Sequence, residues 1–147
     1  RGQSWAVYGL ALCYHYTHEE AILPLFERVT KYFIDHLPED YVPYWDLIFS
    51  DGSCEPRDTS AAAIAACGIL EMEKYYHNQE FLDIAKKMMS SLSEKYTTVD
   101  YLQSNGIIKD GMYSRKHGHK SECTSWGDYF YLEALMRMKK SDWKIYW

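Results

Sequence analysis

Arg1 and Trp5 stand one helical turn apart at the head of an apolar segment, Gly2 to Tyr14. A guanidinium there can hold a carboxylate through paired hydrogen bonds. An indole on about the same helix face can stack on a flat, partly apolar sugar ring. The positive end of the helix dipole favours an anion at the same place. The plainer alternative is an exposed arginine and a core tryptophan. Asp58 and Asp128 are candidate acids, but each also suits the N-cap or first turn of a helix. Trp45 and Asp46 either shape the rim of a cleft or anchor their own loop, and Trp126 reads as core. Lys116 and His117 lie in the basic run Tyr113-Ser114-Arg115-Lys116-His117-Gly118-His119-Lys120. That run suits an anionic group, or is simply a solvated loop. His117 and His119 form the one close histidine pair, which is too few ligands for a metal site. No metal and no cofactor are expected.

Helices must position these groups. Ile22, Leu25, Phe26, Val29 and Phe33 recur at three- and four-residue steps and give one apolar face. Phe81, Leu82, Ala85, Met88, Met89 and Leu92 repeat that pattern, with Asn78 as the N-cap. Thr17 and Glu20 have the spacing of a capping box before the first of these helices. Three other segments are apolar or small nearly all round: Gly2 to Tyr14, Ser60 to Tyr76, and Trp126 to Met138. Such helices are buried on most sides. Mostly buried and two-faced helices therefore alternate.

The junctions Tyr14-His15-Tyr16-Thr17 and Tyr75-Tyr76-His77-Asn78 correspond, as do Leu70-Glu71-Met72 and Leu132-Glu133-Ala134. They imply a helical-hairpin repeat of about 60 residues, longer than ordinary helical solenoid repeats. Inner helices sheathed by outer ones suit a closed, double-layered ring. Two long connections, Pro38 to Arg57 and Thr97 to Cys123, are rich in turn residues and are expected to be functional loops. They carry Tyr41, Tyr44, Trp45, Asp46, Arg57, Tyr113, Arg115, Lys116 and His117, a cleft-lining set. Asp110-Gly111 suits a small β-hairpin over Ile107 to Tyr113.

Composition narrows the classes. The 147 residues carry 47% hydrophobic and 25% charged side chains, which suits a globular protein. The net charge of −5, with no basic stretch beyond the short run at 113–120, argues against nucleic-acid binding. No apolar run approaches the roughly 20 residues of a membrane span, so no membrane partner is expected. Cys13, Cys54, Cys67 and Cys123 form no C-x-x-C pair. Cys13 and Cys67 read as core residues, and a reducing, cytoplasmic compartment is expected. Arg1 is not Met and already lies within a patterned segment, so the chain is expected to be part of a longer protein.

Four segments carry a resemblance: Arg1-Gly2-Gln3-Ser4-Trp5, Pro43-Tyr44-Trp45-Asp46, Arg57-Asp58-Thr59-Ser60 with its alanine run, and Trp126-Gly127-Asp128-Tyr129. In this order and spacing, from Arg1 to about Met138, they resemble glycoside hydrolase family 88, the unsaturated glucuronyl hydrolases. The resemblance implies an all-α (α/α)6 barrel, with residues 1–147 the C-terminal part of its single catalytic domain. It implies release of unsaturated glucuronic acid from lyase-generated oligosaccharides. In that chemistry an aspartic acid protonates the C4=C5 vinyl ether, water adds at C5, and the hemiketal collapses. The aspartates would lie upstream of Arg1, and this chain alone would be inactive. Arg1 and Trp5 match family residues that line the sugar pocket. Lys116 and His117 fall in the loop where the family receives sulfate on Ser and Lys side chains, although the Ser-x-x-Ser-x-Lys pattern is not reproduced. The related family 105, acting on unsaturated rhamnogalacturonan fragments, is the nearest alternative. A helical-repeat scaffold for protein partners is the alternative from another class.

Overall fold

The computed structural model describes residues 1–116, 122–140 and 142–145. Five helices are present among them: α1 (Gly2–Thr17), α2 (Ile22–Asp35), α3 (Thr59–Met72), α4 (Gln79–Lys95) and α5 (Ser125–Lys139). Helix α3 lies between α1 and α5, while α2 packs on α1 and α4 packs on α3. The order is thus inner, outer, inner, outer, inner, but of the three inner helices only α3 is buried nearly all round: α1 and α5 each keep an open side, with Trp5, Leu132, Leu135 and Met138 exposed.

The middle helix explains the closeness of the three inner ones. Nearly every side chain of α3 is buried, and Ala61, Ala62, Ala63, Ala65 and Ala66 let its neighbours approach closely. At Gly68 the approach reaches backbone: a Cβ there would lie 2.7 Å from the Tyr8 Cα of α1. At Gly127, which opens α5, a Cβ would lie 2.8 Å from the Thr124 hydroxyl and 3.4 Å from Ser60 of α3. The outer helices bury one face each, α2 through Phe26 and Phe33 and α4 through Phe81, Ala85, Met88 and Leu92. Phe26 and Phe81 meet edge to face between those two helices.

Helix ends follow local chemistry. Asn78 caps α4 by accepting from the Phe81 N–H at 3.1 Å, and Thr124 caps α5 by accepting from the Gly127 N–H. The Thr17–Glu20 capping box does not form. Thr17 is the last residue of α1, and its hydroxyl donates to the Cys13 carbonyl. The chain leaves α1 through His18 in the left-handed region, a conformation that histidine tolerates better than most residues. Cys13 is exposed; of the two predicted core cysteines only Cys67 is buried. The hairpin over 107–113 is absent as well. Thr97 pairs with Ile108, and Gly111 pairs with Glu122, so this segment joins two different partners rather than folding on itself.

Candidate active-site mouth

The segment 107–113 runs as a strap across the N-terminal ends of all three inner helices. Asp128 of α5 accepts the N–H groups of Ile107 and Ile108 at 2.9 and 3.0 Å. Thr59 of α3 donates through its hydroxyl to the Lys109 carbonyl and through its N–H to Asp110. Arg1, at the N-cap of α1, donates through Nη1 to the Met112 carbonyl and through Nη2 to that of Tyr113, the latter at 3.1 Å. Asp128 is thereby a structural anchor, as its first-turn position suggested.

Arg1 and Trp5 each face a partner on α5. The Arg1 guanidinium carbon lies 5.1 Å from the centroid of the Trp126 ring. Trp5 meets Phe130 edge to face at 5.1 Å. Both pairs are four residues apart on their helices, so they form two successive rungs between α1 and α5. Trp5 remains 41% exposed, and the exposed Tyr113 ring lies 5.9 Å from Trp126. Trp126 is therefore not a pure core residue. It is half-buried, with its indole N–H donating to Ser60 at 3.2 Å and its ring beneath a cation.

The guanidinium is only partly committed. It carries five N–H donors. Nη1 serves Asp58 Oδ2 at 3.2 Å and the Met112 carbonyl, and Nη2 serves the Tyr113 carbonyl. Two donors take no acceptor among the described residues, and 24% of the side chain is exposed. A partly open guanidinium packed on the Trp126 ring can accept a carboxylate, and the exposed Trp5 indole one helical turn on can accept a sugar ring.

The rest of the predicted cleft-lining set divides. Trp45 donates its indole N–H to Glu55 at 2.8 Å, and Arg115 donates Nε–H to the same oxygen at 3.2 Å. This joins the two long loops. The Trp45 hydrogen bond, aided by Arg115, holds the Glu55 carboxyl below its ordinary range despite partial burial. Asp46 accepts from the Ile48 N–H within its own turn. Arg57 packs over the Tyr44 ring at 3.9 Å, donates to the Val42 carbonyl and pairs with Asp40 and Asp51. Arg57, Tyr44 and Trp45 thus brace the first loop. Lys116 is exposed and has no contact to Arg1 or Trp5 among the described residues, and His117 lies outside those residues. Grooves of about 300, 450 and 510 Å3 occur at the feet of the helices and beside Arg57. Arg1 and Trp5 line none of these and stand on an open face instead. Among the described residues no cluster of metal-ligating side chains is present, and no helix is long and apolar enough to cross a membrane.

A second charged centre, absent from the expectations above, lies deeper between the same helices. Arg137 of α5 donates to Glu71 of α3 and, through Nε at 2.8 Å, to Glu133. Glu71 also receives Lys74 and meets His15 Nδ1, each at 2.8 Å. Tyr8 donates to Glu133 at 3.0 Å. Burial and the charge of Glu133 push the Tyr8 phenol far above its ordinary range. The available signal was an acidic residue flanked by apolar ones in each of two apolar helices, Leu70-Glu71-Met72 and Leu132-Glu133-Ala134. A carboxylate placed there must find a cation.

No family model matches the chain. The unsaturated chondroitin disaccharide hydrolase of Streptococcus pneumoniae is 46% identical over the whole chain. The unsaturated glucuronyl hydrolase of Bacillus sp. is 38% identical over 95% of it. The chain spans 38% and 39% of those two proteins' lengths. Among solved structures, an aspartate-to-asparagine variant of the Streptococcus agalactiae unsaturated glucuronyl hydrolase, complexed with dGlcA-GalNAc6S, superposes with a TM-score of 0.93 at 43% identity. The match covers 99% of this chain and 40% of that one. The five helices therefore have the arrangement of those enzymes' helical barrel. Along its whole length the chain is homologous to the unsaturated glucuronyl hydrolases, and it corresponds to about two-fifths of them.

Proposed function

We propose that the protein containing this chain is a glycoside hydrolase that releases unsaturated glucuronic acid from lyase-generated, glycosaminoglycan-type oligosaccharides. The observation that carries this reading is the partly open Arg1 guanidinium set beside the exposed Trp5, on a chain homologous to enzymes of that name. In this reading Arg1 holds the uronate carboxylate and Trp5 stacks on the ring. Lys116 and His117, in the basic run that follows Tyr113, are assigned to an anionic substituent of the substrate. The acid that protonates the C4=C5 double bond comes from the part of the protein outside residues 1–147, so this chain by itself is inactive.

The test uses the protein at its relatives' full length. Supplied with unsaturated chondroitin disaccharide, it removes the ultraviolet absorbance of the double bond. Persistence of that absorbance with the chondroitin disaccharide and its hyaluronan counterpart rejects the reading. Activity confined to unsaturated rhamnogalacturonan fragments moves the protein to the related specificity.

A further inference from the structure

We infer that Asp58 is a positioning residue, which sets the orientation of the Arg1 guanidinium and thereby of the uronate; the inference rests on the function proposed above. Asp58 occupies the N-cap of α3 and is 1% exposed, yet its carboxylate accepts no backbone N–H of the first turn of α3. Capping does not account for it. Its oxygens are spent elsewhere. Oδ2 accepts Arg1 Nη1 at 3.2 Å. Oδ1 accepts the Ser60 hydroxyl at 2.5 Å and the Met112 N–H at 3.4 Å.

Ser60 extends the chain of contacts. While its hydroxyl donates to Asp58, its oxygen accepts the Trp126 indole N–H at 3.2 Å. The Trp126 ring lies against the Arg1 guanidinium. The contacts close a circuit: Arg1 to Asp58, Asp58 to Ser60, Ser60 to Trp126, and Trp126 back to Arg1. One buried carboxylate therefore fixes the guanidinium directly at Nη1 and indirectly through the ring it packs on. With Nη1 occupied by Asp58 and Met112, the donors left for a ligand are one on Nη2 and the Nε–H. Bidentate recognition needs such donors held at a fixed angle. The negative charge of Asp58 weakens the pull of Arg1 on another anion. The site thus gives up some attraction for orientation, and the two effects oppose each other in sign.

That opposition makes the test decisive. In the full-length protein, steady-state kinetics on unsaturated chondroitin disaccharide are compared for wild type, Asp58→Asn, Arg1→Gln and the double variant. Asp58→Asn removes the negative charge and replaces one of the two acceptor oxygens, both of which are in use, by a donor. The expected result is a KM raised about tenfold with kcat within about threefold, the size of one charge-assisted hydrogen bond. In the Arg1→Gln background the same substitution adds less than about twofold to KM, because the effect passes through Arg1. Ser60→Ala, which leaves Asp58 in place, is expected to raise KM about threefold, again only when Arg1 is present. An unchanged or lowered KM in Asp58→Asn overturns the inference, as does an equal rise in the Arg1→Gln background. Where Asp58→Asn does not fold, an unchanged KM in Ser60→Ala overturns it. A wild-type protein inactive on every unsaturated uronide sinks the functional reading, and the inference with it. An active wild type with an unresponsive Asp58 sinks the inference alone.

Discussion

Two arginines in this chain face carboxylates between the same three helices, with opposite consequences. Arg137 is sealed in, 2% exposed against Glu71 and Glu133 at 0% and 1%, and its guanidinium packs 4.4 Å from the Trp143 ring centroid. Arg1 has a single carboxylate partner, two carbonyls, an aromatic ring and an open remainder. The first arrangement seals a cation against two carboxylates away from solvent, with Nη2 held to Glu133 as an ion pair at 2.7 Å but without a hydrogen bond. The second holds a cation still while leaving part of it unsatisfied. The difference teaches where in this fold charge is enclosed and where part of it stays open: deep between α3 and α5, and at the mouth crossed by the strap.

The sharpest way to break this contrast is to remove each cation in turn. Arg137→Met in the full-length protein leaves the buried Glu133 without its cation and Glu71 with only Lys74 and His15, and should cost about 3–5 kcal/mol of stability. Arg1→Gln should cost less, about 1–2 kcal/mol, because Arg1 is partly exposed and the buried Asp58 keeps the Ser60 hydroxyl and the Met112 N–H as donors. Equal losses in denaturant titrations would erase the distinction. Gly68→Ala probes the packing that brings the two centres onto one frame. Its Cβ would sit against the Tyr8 backbone, and the expected loss is about 1–3 kcal/mol. Asn78→Ala, away from both centres, should lose about 1 kcal/mol through its cap alone, with KM unchanged.

The smallest expected effect is a slope. Burial pushes the Glu71 carboxyl up, but Lys74 and Arg137 outweigh it and hold the group below its ordinary range. A depressed folded-state pKa contributes stability that is fully present above the unfolded value, about 4.3. That contribution is lost as the pH falls through the folded value. Unfolding free energy should therefore decline on acidification below that point, and more shallowly in Glu71→Gln. Identical acid limbs in the two proteins would detach Glu71 from the deep cluster.

The helices were legible because their signals are local. Three- and four-residue apolar spacing marked α2 and α4, and runs such as Ala61 to Cys67 marked α3 as enclosed. Arg1 and Trp5 were legible as a pair because one helical turn fixes their relation. The remainder depended on contacts distant in sequence. Nothing near Asp58 shows that its carboxylate meets Arg1 rather than its own helix, since the partner lies 57 residues away. Asp110-Gly111 has the chemistry of a turn, and Asp110 does take a positive φ. Its flanks were captured by Thr97 and Glu122 instead of by each other. Trp126 looked like core because an aromatic on an apolar helix usually is, and only the arrival of Arg1 from α1 gives it another role.

The most direct test of the account is the kinetic effect of Arg1→Gln on unsaturated chondroitin disaccharide, read beside its thermal stability. The open guanidinium predicts a fall in kcat/KM of about 30-fold or more, the scale of hydrogen bonds to a charged group, with a melting temperature close to wild type. A variant that keeps kcat/KM within about twofold of wild type would show that the uronate is held elsewhere, and that the mouth described here is not the site.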